Sequence, residues 1–313
     1  MDMIPNRSFY RIMAGAKSVY AKQCFDEGFI AADWNINQDL SGMLPDDWRE
    51  FNKRFIPVYL SANPDKSKVA AGLACGMLHT ICKGMQLGDI VLTPNGFGQY
   101  YVGEVVSEYF YFPSHDLSHR RKVSWYEKVL FREEMSQPLK NSAGSIGTVS
   151  NISKHADELE QLIAGSQPPA LSHSDESVED PNVFALEKHL EDFLVANWEA
   201  TELGKDFDIY SVDGERVGQQ FPSDTGPIDL LCVSKDGKVL LVVELKRGRA
   251  SDVVVGQIQR YMGYVKEELA ENGQAVRGVI IALEDDLKLR RALSVTTAID
   301  FYRYQVSFKL VKG

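Results

Sequence analysis

Three side chains able to carry hydrolytic chemistry are brought together by one turn signal: Asp229, Glu244 and Lys246. The apolar runs IDLLCV (228–233) and KVLLVVELK (238–246) flank Ser234-Lys235-Asp236-Gly237. Asp-Gly between two such runs predicts a β-hairpin with a two-residue turn of type I′. With Asp236 and Gly237 as the turn, Lys235 faces Lys238, and the same register sets Asp229 opposite Glu244. Facing Cβ atoms on an antiparallel pair lie roughly 4.5–5.5 Å apart. Two carboxylates at that spacing repel unless positive charge sits between them. Lys246, two residues beyond Glu244, emerges on the same face of its strand. Hard carboxylate oxygens suit Mg²⁺ and leave positions for water and phosphate. Such an ion activates water and neutralises charge growing on a phosphate. A neighbouring ammonium orients or deprotonates the water, or holds the phosphate. The trio therefore points to metal-assisted phosphodiester hydrolysis.

The elements around the trio must position it. The segment 252–269 predicts a helix directly after the Glu/Lys strand, and RGVIIAL (277–283) predicts a buried strand after that. Strand, crossover helix and strand make a βαβ unit with a parallel pair. Gln257 and Tyr261 stand four residues apart, on one face of the crossover helix. That face can look onto the same point, where Gln257 would fix Lys246 or the water and Tyr261 would reach a phosphate. Segment 184–198 has apolar residues near helical period. Within it Glu187 and Glu191 are also four apart, and one of them would complete the metal shell, with Glu187 taken first and Glu191 second. A helix over 286–294 and the strand segments AIDFYRY and QVSFKL close the chain.

GPIDLL, VVELKRGR and VGQIQRYMGYV together resemble the PD-(D/E)xK nuclease superfamily, and most closely its NucS-type endonuclease branch. Pro227-Ile228-Asp229 stands for the PD element, interrupted by one residue. Glu244-Leu245-Lys246 stands for ExK, and Gln257 to Tyr261 for the QxxxY of RecB-like members. The resemblance covers about 183–310. It implies a restriction-endonuclease-like α/β domain, a mixed sheet flanked by helices, that cleaves DNA with Mg²⁺ or Mn²⁺. By it Asp229 and Glu244 are metal ligands and Lys246 is the catalytic lysine, with Glu187 taken as the helix-one acid of the metal site and Glu191 as its alternative. Arg247, beside that lysine, is a candidate DNA contact.

The first half reads differently. SFYRIM (8–13) predicts a strand, 18–29 a short helix, 68–85 an apolar helix and 119–131 a strand. DIVLT and YYVGEVV flank Pro94-Asn95-Gly96 and predict a hairpin; 152–163 has helical spacing. The pattern of 88–105, 119–136 and 145–153 resembles a PUA-like or EVE-like α+β barrel. That resemblance implies a reader of modified bases, whose pocket receives a flipped nucleotide. Trp125, Tyr100, Tyr101, Tyr109 and Trp34 are candidates for base stacking. His119, Arg120, Arg121 and Lys122 form a basic run suited to phosphates. His79, within an apolar helix, reads as a packed core residue.

Composition sets the frame. The chain has 313 residues, 44% hydrophobic and 25% charged, which is enough apolar mass for two ordinary domains. The expected boundaries are a reader domain at 1–164, a linker at 165–182 rich in Gly, Pro, Ser and acid, and a nuclease domain at 183–313. Net charge is −10, which at first argues against a nucleic-acid partner. Residues 1–140 hold 16 basic and 16 acidic side chains, whereas 174–208 alone hold 2 and 11. The acid is one local block, so basic clusters elsewhere remain able to face DNA. No apolar run reaches the length of a membrane span. The opening residues lack the blocks of a signal peptide, and the four separated cysteines form no CxxC pair. The expectation is a reduced, cytoplasmic enzyme without disulfides or zinc, acting on DNA as a homodimer, since a double-strand break needs two active sites. Two other readings stand beside it: a repair endonuclease for mismatched or branched DNA, and a non-cleaving nucleic-acid-binding module.

Overall fold

The computed structural model describes residues 7–113, 117–144, 147–165, 190–212, 214–271 and 273–305. The chain divides into two compact units, 1–172 and 173–313. Glu187, almost all of the expected linker and all of the QVSFKL segment beyond Gln305 lie outside the described residues.

The first unit is built on one seven-stranded sheet, curled as a half-barrel. Its strands are β1 (Phe9–Ile12), β2 (Phe29–Ala32), β3 (Ile90–Pro94), β4 (Gln99–Val105), β5 (Phe110–Tyr111), β6 (His119–Phe131) and β7 (Val149–Asn151). They run in the order β2-β6-β4-β3-β1-β7, with β5 also on β6. β6 is long enough to serve two neighbours: residues 119–122 pair with β2 and residues 123–131 with β4. The β4–β6 register shifts between Tyr101 and Gly103, and such a bulge sharpens the local twist. Asn95 to Gly98 make the predicted β3–β4 turn, with Gly96 and Gly98 at positive φ.

Helices α1 (Ala21–Glu27), α2 (Trp48–Ala62), α3 (Lys68–His79), α4 (Gln137–Ala143) and α5 (Ala156–Ala164) surround this sheet. Ser67 and Ser136 accept the backbone N–H groups of Ala70 and Leu139, capping α3 and α4 as their hydroxyl chemistry favours. α2, which contains Pro57, has no counterpart in the sequence expectations. It is held by tertiary burial. Phe51, Phe55 and Tyr59 fall on one face and pack with Ala71, Ala74 and Leu78 of α3. His79 is buried as expected, with Nε2 2.8 Å from the Pro45 carbonyl.

The second unit is a mixed sheet in the order β11-β12-β13-β14-β15, with β8 beside β11 on the same edge of β12. Its strands are β8 (Phe207–Ile209), a small β9–β10 ribbon (Ser211–Val212 and Glu215–Arg216), β11 (Gln219–Phe221), β12 (Ile228–Ser234), β13 (Val239–Arg249), β14 (Ala275–Glu284) and β15 (Ile299–Arg303). The helical stretch 190–196, α6, and α7 (Val253–Tyr264) cover opposite faces, and α8 (Leu287–Leu293) follows β14. Cover on both faces explains the near-continuous Val/Leu/Ile runs. Leu230, Cys232, Leu241, Val243 and Leu245 pack with Leu194 and Trp198 on the α6 side. A Cβ at Gly278 would meet Met262 and Ile258 of α7, which places α7 on the other side. The βαβ unit is present: β13 and β14 run parallel, joined through α7.

The hairpin between β12 and β13 keeps the expected register but not the expected turn. Leu230 pairs with Val243 and Val233 with Leu240, the alignment that sets Asp229 against Glu244. The Gly237 N–H donates to the Ser234 carbonyl, and of the turn residues only Gly237 has positive φ. The Asp236 side chain accepts from the Ser234 hydroxyl and the Lys238 N–H. Those local bonds hold Asp236 in an ordinary conformation, so the turn is not a mirror-image type I′ turn.

Candidate active site

Side chains alternate along a strand. Leu230, Val243 and Leu245 belong to the α6-side core, so Asp229, Glu244 and Lys246 emerge together on the α7 side. Their surroundings differ. Glu244 is 2% exposed, while Lys246 keeps 31% of its side chain in contact with solvent. Lys246 Nζ donates to Glu244 Oε1 at 2.8 Å. A carboxylate this deep is stable as an anion only with such a partner. Asp229 Oδ2 accepts the backbone N–H of Leu245 at 2.7 Å. The Asp229 side chain is thereby tied to the strand that carries Glu244.

β13 also bends at this point. Its register against β14 shifts between Lys246 and Arg249, and the Tyr304 hydroxyl donates to the Arg247 carbonyl within that shift. Bulges beside strand ends re-aim side chains. Here the bulge begins directly after the lysine.

Of the two helix-one acids, Glu191 lies within the described residues. It is 5% exposed on α6 and accepts from Gln219 Nε2 at 2.7 Å. Gln220 Nε2 donates both to Glu191 Oε2 and, at 3.2 Å, to Asp229 Oδ1. One amide thus joins the acid of α6 to the acid of β12. Neither Gln219 nor Gln220 figures in the sequence expectations. The available signal was two adjacent amides shortly before the Pro-Ile-Asp element, which have no distinctive spacing.

Gln257 and Tyr261 do share one face, with Gln257 Nε2 donating to the Tyr261 hydroxyl at 3.3 Å. A Cβ on Gly226 would lie 3.2 Å from that hydroxyl, and Gly226 has φ +124°. The QxxxY face is therefore set against the backbone that leads into Asp229.

Among the described residues, no three His, Cys, Asp or Glu side chains gather closely enough to hold a metal ion. The chemistry of the donors still fits Mg²⁺ or Mn²⁺. Mg²⁺ is commonly held by one or two carboxylates, with waters and substrate phosphates filling the remaining positions. Asp229 and Glu244 supply two hard carboxylates on one face.

The basic run of the first unit is an interior feature, which corrects the expectation of an exposed phosphate site. His119 and Arg121 are 0% and 1% exposed. Arg121 donates to the carbonyls of Ile81 and Cys82. Arg120 donates to the Leu117 carbonyl and lies between the rings of Phe29 and Phe112, 4.0 and 4.2 Å from their centroids. His119 Nε2 donates to the Ile36 carbonyl while Nδ1 accepts from the Tyr109 hydroxyl, which itself accepts the Leu40 N–H. This neutral arrangement agrees with burial, which pushes the His119 pKa below its usual value, against the opposing pull of the Ile36 bond. Strand alternation could not reveal this burial, because both faces of β6 are covered here: His119 and Arg121 meet the carbonyls of Ile36, Ile81 and Cys82 on one face, and Arg120 meets Phe29 and Phe112 on the other. Only Lys122 of the run is exposed.

The aromatic candidates divide. Tyr100 is core, 4% exposed, and takes a bond from Arg132. Trp34 packs into two core clusters. Tyr101 and Trp125 are half-buried: Tyr101 stacks on Phe25 with centroids 4.3 Å apart, and Trp125 donates from Nε1 to the Cys24 carbonyl. Arg247 is half-buried at the β13 bulge.

Comparison with known proteins adds the family context. Residues 187–301 match the endonuclease NucS C-terminal domain, and residues 10–153 match a domain of unknown function, DUF8426. The second unit thus carries a NucS-like domain of restriction-endonuclease type. The chain is 43% identical to endonuclease NucS of Pyrococcus abyssi over 66 residues, 21% of this chain and 25% of that protein. It is 41% identical to endonuclease NucS of Pyrococcus furiosus over 61 residues, 20% of this chain and 21% of that protein. The matched stretch thus spans about a quarter or less of each curated relative. Among solved structures, an EndoMS complex with double-stranded DNA aligns at TM-score 0.32 and 15% identity, covering 67% of this chain and 62% of that one. A repair endonuclease from Pyrococcus abyssi aligns at 0.31 and 16%, covering 68% and 66%.

Proposed function

We propose that this protein is a metal-dependent DNA endonuclease that hydrolyses phosphodiester bonds at Asp229, Glu244 and Lys246. The observation that carries the reading is the convergence of those three side chains on one face, with Lys246 bonded to a buried Glu244 and Asp229 tied to the same strand. Asp229 and Glu244 would hold Mg²⁺ or Mn²⁺, and Glu191 would support them from α6. When bound, the ion supplies Lewis acidity toward phosphate and water. Lys246 keeps Glu244 oriented and offers its half-exposed ammonium to the scissile phosphate or the attacking water. Tyr261 and Gln257 hold the backbone that leads into Asp229.

In this reading the first unit selects the DNA. Its substrate is a modified duplex, as in restriction, and the half-buried Tyr101 and Trp125 are the aromatic surfaces offered to a base. Lys122 and Arg247 are offered to phosphates. A repair role on mismatched or branched DNA is the second reading, favoured by the NucS-like domain at 187–301. Action as a dimer in the cytoplasm belongs to both readings. Among the described residues no helix is long and apolar enough to cross a membrane.

The test is cleavage by the purified full chain, with Mg²⁺ or Mn²⁺, of plain, methylated, hydroxymethylated and mismatched duplexes. Cutting confined to modified DNA supports the first substrate reading, and cutting at mismatches supports the second. If the wild type and a Glu244→Ala variant bind alike and neither cuts any duplex, the protein is a binding module instead.

A further inference from the structure

Gln220 is placed unlike any neighbour. It lies between Gln219, paired with Leu230, and Phe221, paired with Ile228, so it faces Asp229 across the β11–β12 ladder. Its φ is +49°, a left-handed conformation that costs a non-glycine residue free energy. The strand is forced into this shape just upstream. A Cβ on Gly218 would lie 2.1 Å from the Leu231 carbonyl, and the N–H groups of both Val217 and Gly218 converge on the Tyr210 carbonyl. The bulge turns the Gln220 side chain along the sheet edge. There its single amide nitrogen serves Glu191 Oε2 and Asp229 Oδ1 together.

We infer that Gln220 is the positioning residue of the metal site, holding the Asp229 carboxylate in its binding orientation and coupling it to Glu191. The inference rests on the nuclease reading above. The physical argument is preorganisation. Asp229 has two oxygens: the Leu245 N–H fixes Oδ2, and Gln220 fixes Oδ1. Two hydrogen bonds from opposite sides set the rotation of the carboxylate plane. The same amide places donated hydrogens between two anions that would otherwise repel. Groups that hydrogen-bond to ligating carboxylates commonly alter metal affinity by about 10–100-fold when removed. Gln220 touches no reacting atom in this arrangement and acts through Asp229.

The test uses the full chain and Mn²⁺ itself, with binding read from the free-ion signal by electron paramagnetic resonance in the absence of DNA. Gln220→Met keeps length and apolar bulk and removes the donor. It is expected to weaken Mn²⁺ binding by about 10-fold or more, with DNA affinity unchanged and cleavage recovering as metal is raised. Gln220→Gly removes the same donor and relieves the left-handed backbone, so it is expected to fold like the wild type and show the same loss. If both variants fold and bind Mn²⁺ within twofold of the wild type, the inference is overturned while the nuclease reading stands. If the wild type neither binds Mn²⁺ nor cuts DNA, the nuclease reading itself falls and this inference with it.

Discussion

Lys246 and Glu244 meet at 2.8 Å across a sharp gradient of burial, the carboxylate 2% exposed and the ammonium side chain 31%. The geometry lets one charge stay fixed inside the sheet while the other reaches solvent and substrate. Lys246→Ala is expected to abolish cleavage while DNA affinity, measured by fluorescence anisotropy, changes less than about threefold. It also strips a buried anion of its donor, so stability should fall by about 1.5–3 kcal/mol, read by urea unfolding. A large loss of affinity instead would make this lysine mainly a phosphate contact.

Gly226 is the pivot between Tyr261 and Asp229. Its φ of +124° and the 3.2 Å gap from an added Cβ to the Tyr261 hydroxyl both oppose substitution. Gly226→Ala should cost about 1–3 kcal/mol of stability and lower the cleavage rate more than Tyr261→Phe, which keeps the ring and loses only the hydroxyl. Single-turnover kinetics of the two variants, alongside their melting curves, checks this order.

The buried arginine and the exposed lysine of β6 should part company. Arg121→Ala would leave carbonyls in the interior without their donor, costing about 3 kcal/mol or more in the first unit. Lys122→Ala should leave stability within about 0.5 kcal/mol and reduce DNA affinity if the first unit grips the backbone. Thermal melting and a salt-dependent binding series separate the two effects.

His119 gives the first unit a pH dependence of defined sign. Burial lowers its pKa below the usual 6.5, so below that value the unfolded chain takes up a proton that the folded chain resists. Stability contributed by the neutral ring is complete above about pH 6.5 and is lost as pH falls from there toward the lowered folded value. His119→Gln should be less stable at pH 8 yet flatter between pH 6.5 and 5. Melting temperatures of both proteins across that range provide the measurement.

All four cysteines are free and buried. Burial pushes the thiols of Cys24 and Cys75 up to about 12, and those of Cys82 and Cys232 up as well. The native protein should therefore resist a thiol reagent such as DTNB at pH 8, and all four should react in guanidinium. Fast labelling of any one without denaturant would show that its shell opens.

Much of the second unit was legible because its signals are local. An Asp-Gly turn and two apolar runs are enough to place Asp229 opposite Glu244, and Leu230 pairs with Val243 in that register. Even so, the turn differs from the expected type, because Asp236 spends its side chain on Ser234 and Lys238. What stayed illegible depends on distant contacts. Gln220 acquires its place from a bulge set by Gly218 and from a helix some thirty residues earlier. The basic run at 119–122 has the composition of a surface, and only contacts with Ile36, Ile81, Cys82, Phe29 and Phe112, most of them distant in sequence, turn it inward. α2, with Pro57 inside it, is held by packing against α3, a contact no local signal shows.

The most direct test of the account is a crystal of the full chain soaked in Mn²⁺ and examined by anomalous scattering. The account predicts a peak bonded to carboxylate oxygens of both Asp229 and Glu244, and its loss in Asp229→Asn. A peak bonded to neither residue, with DNA cleavage intact in that variant, would contradict it.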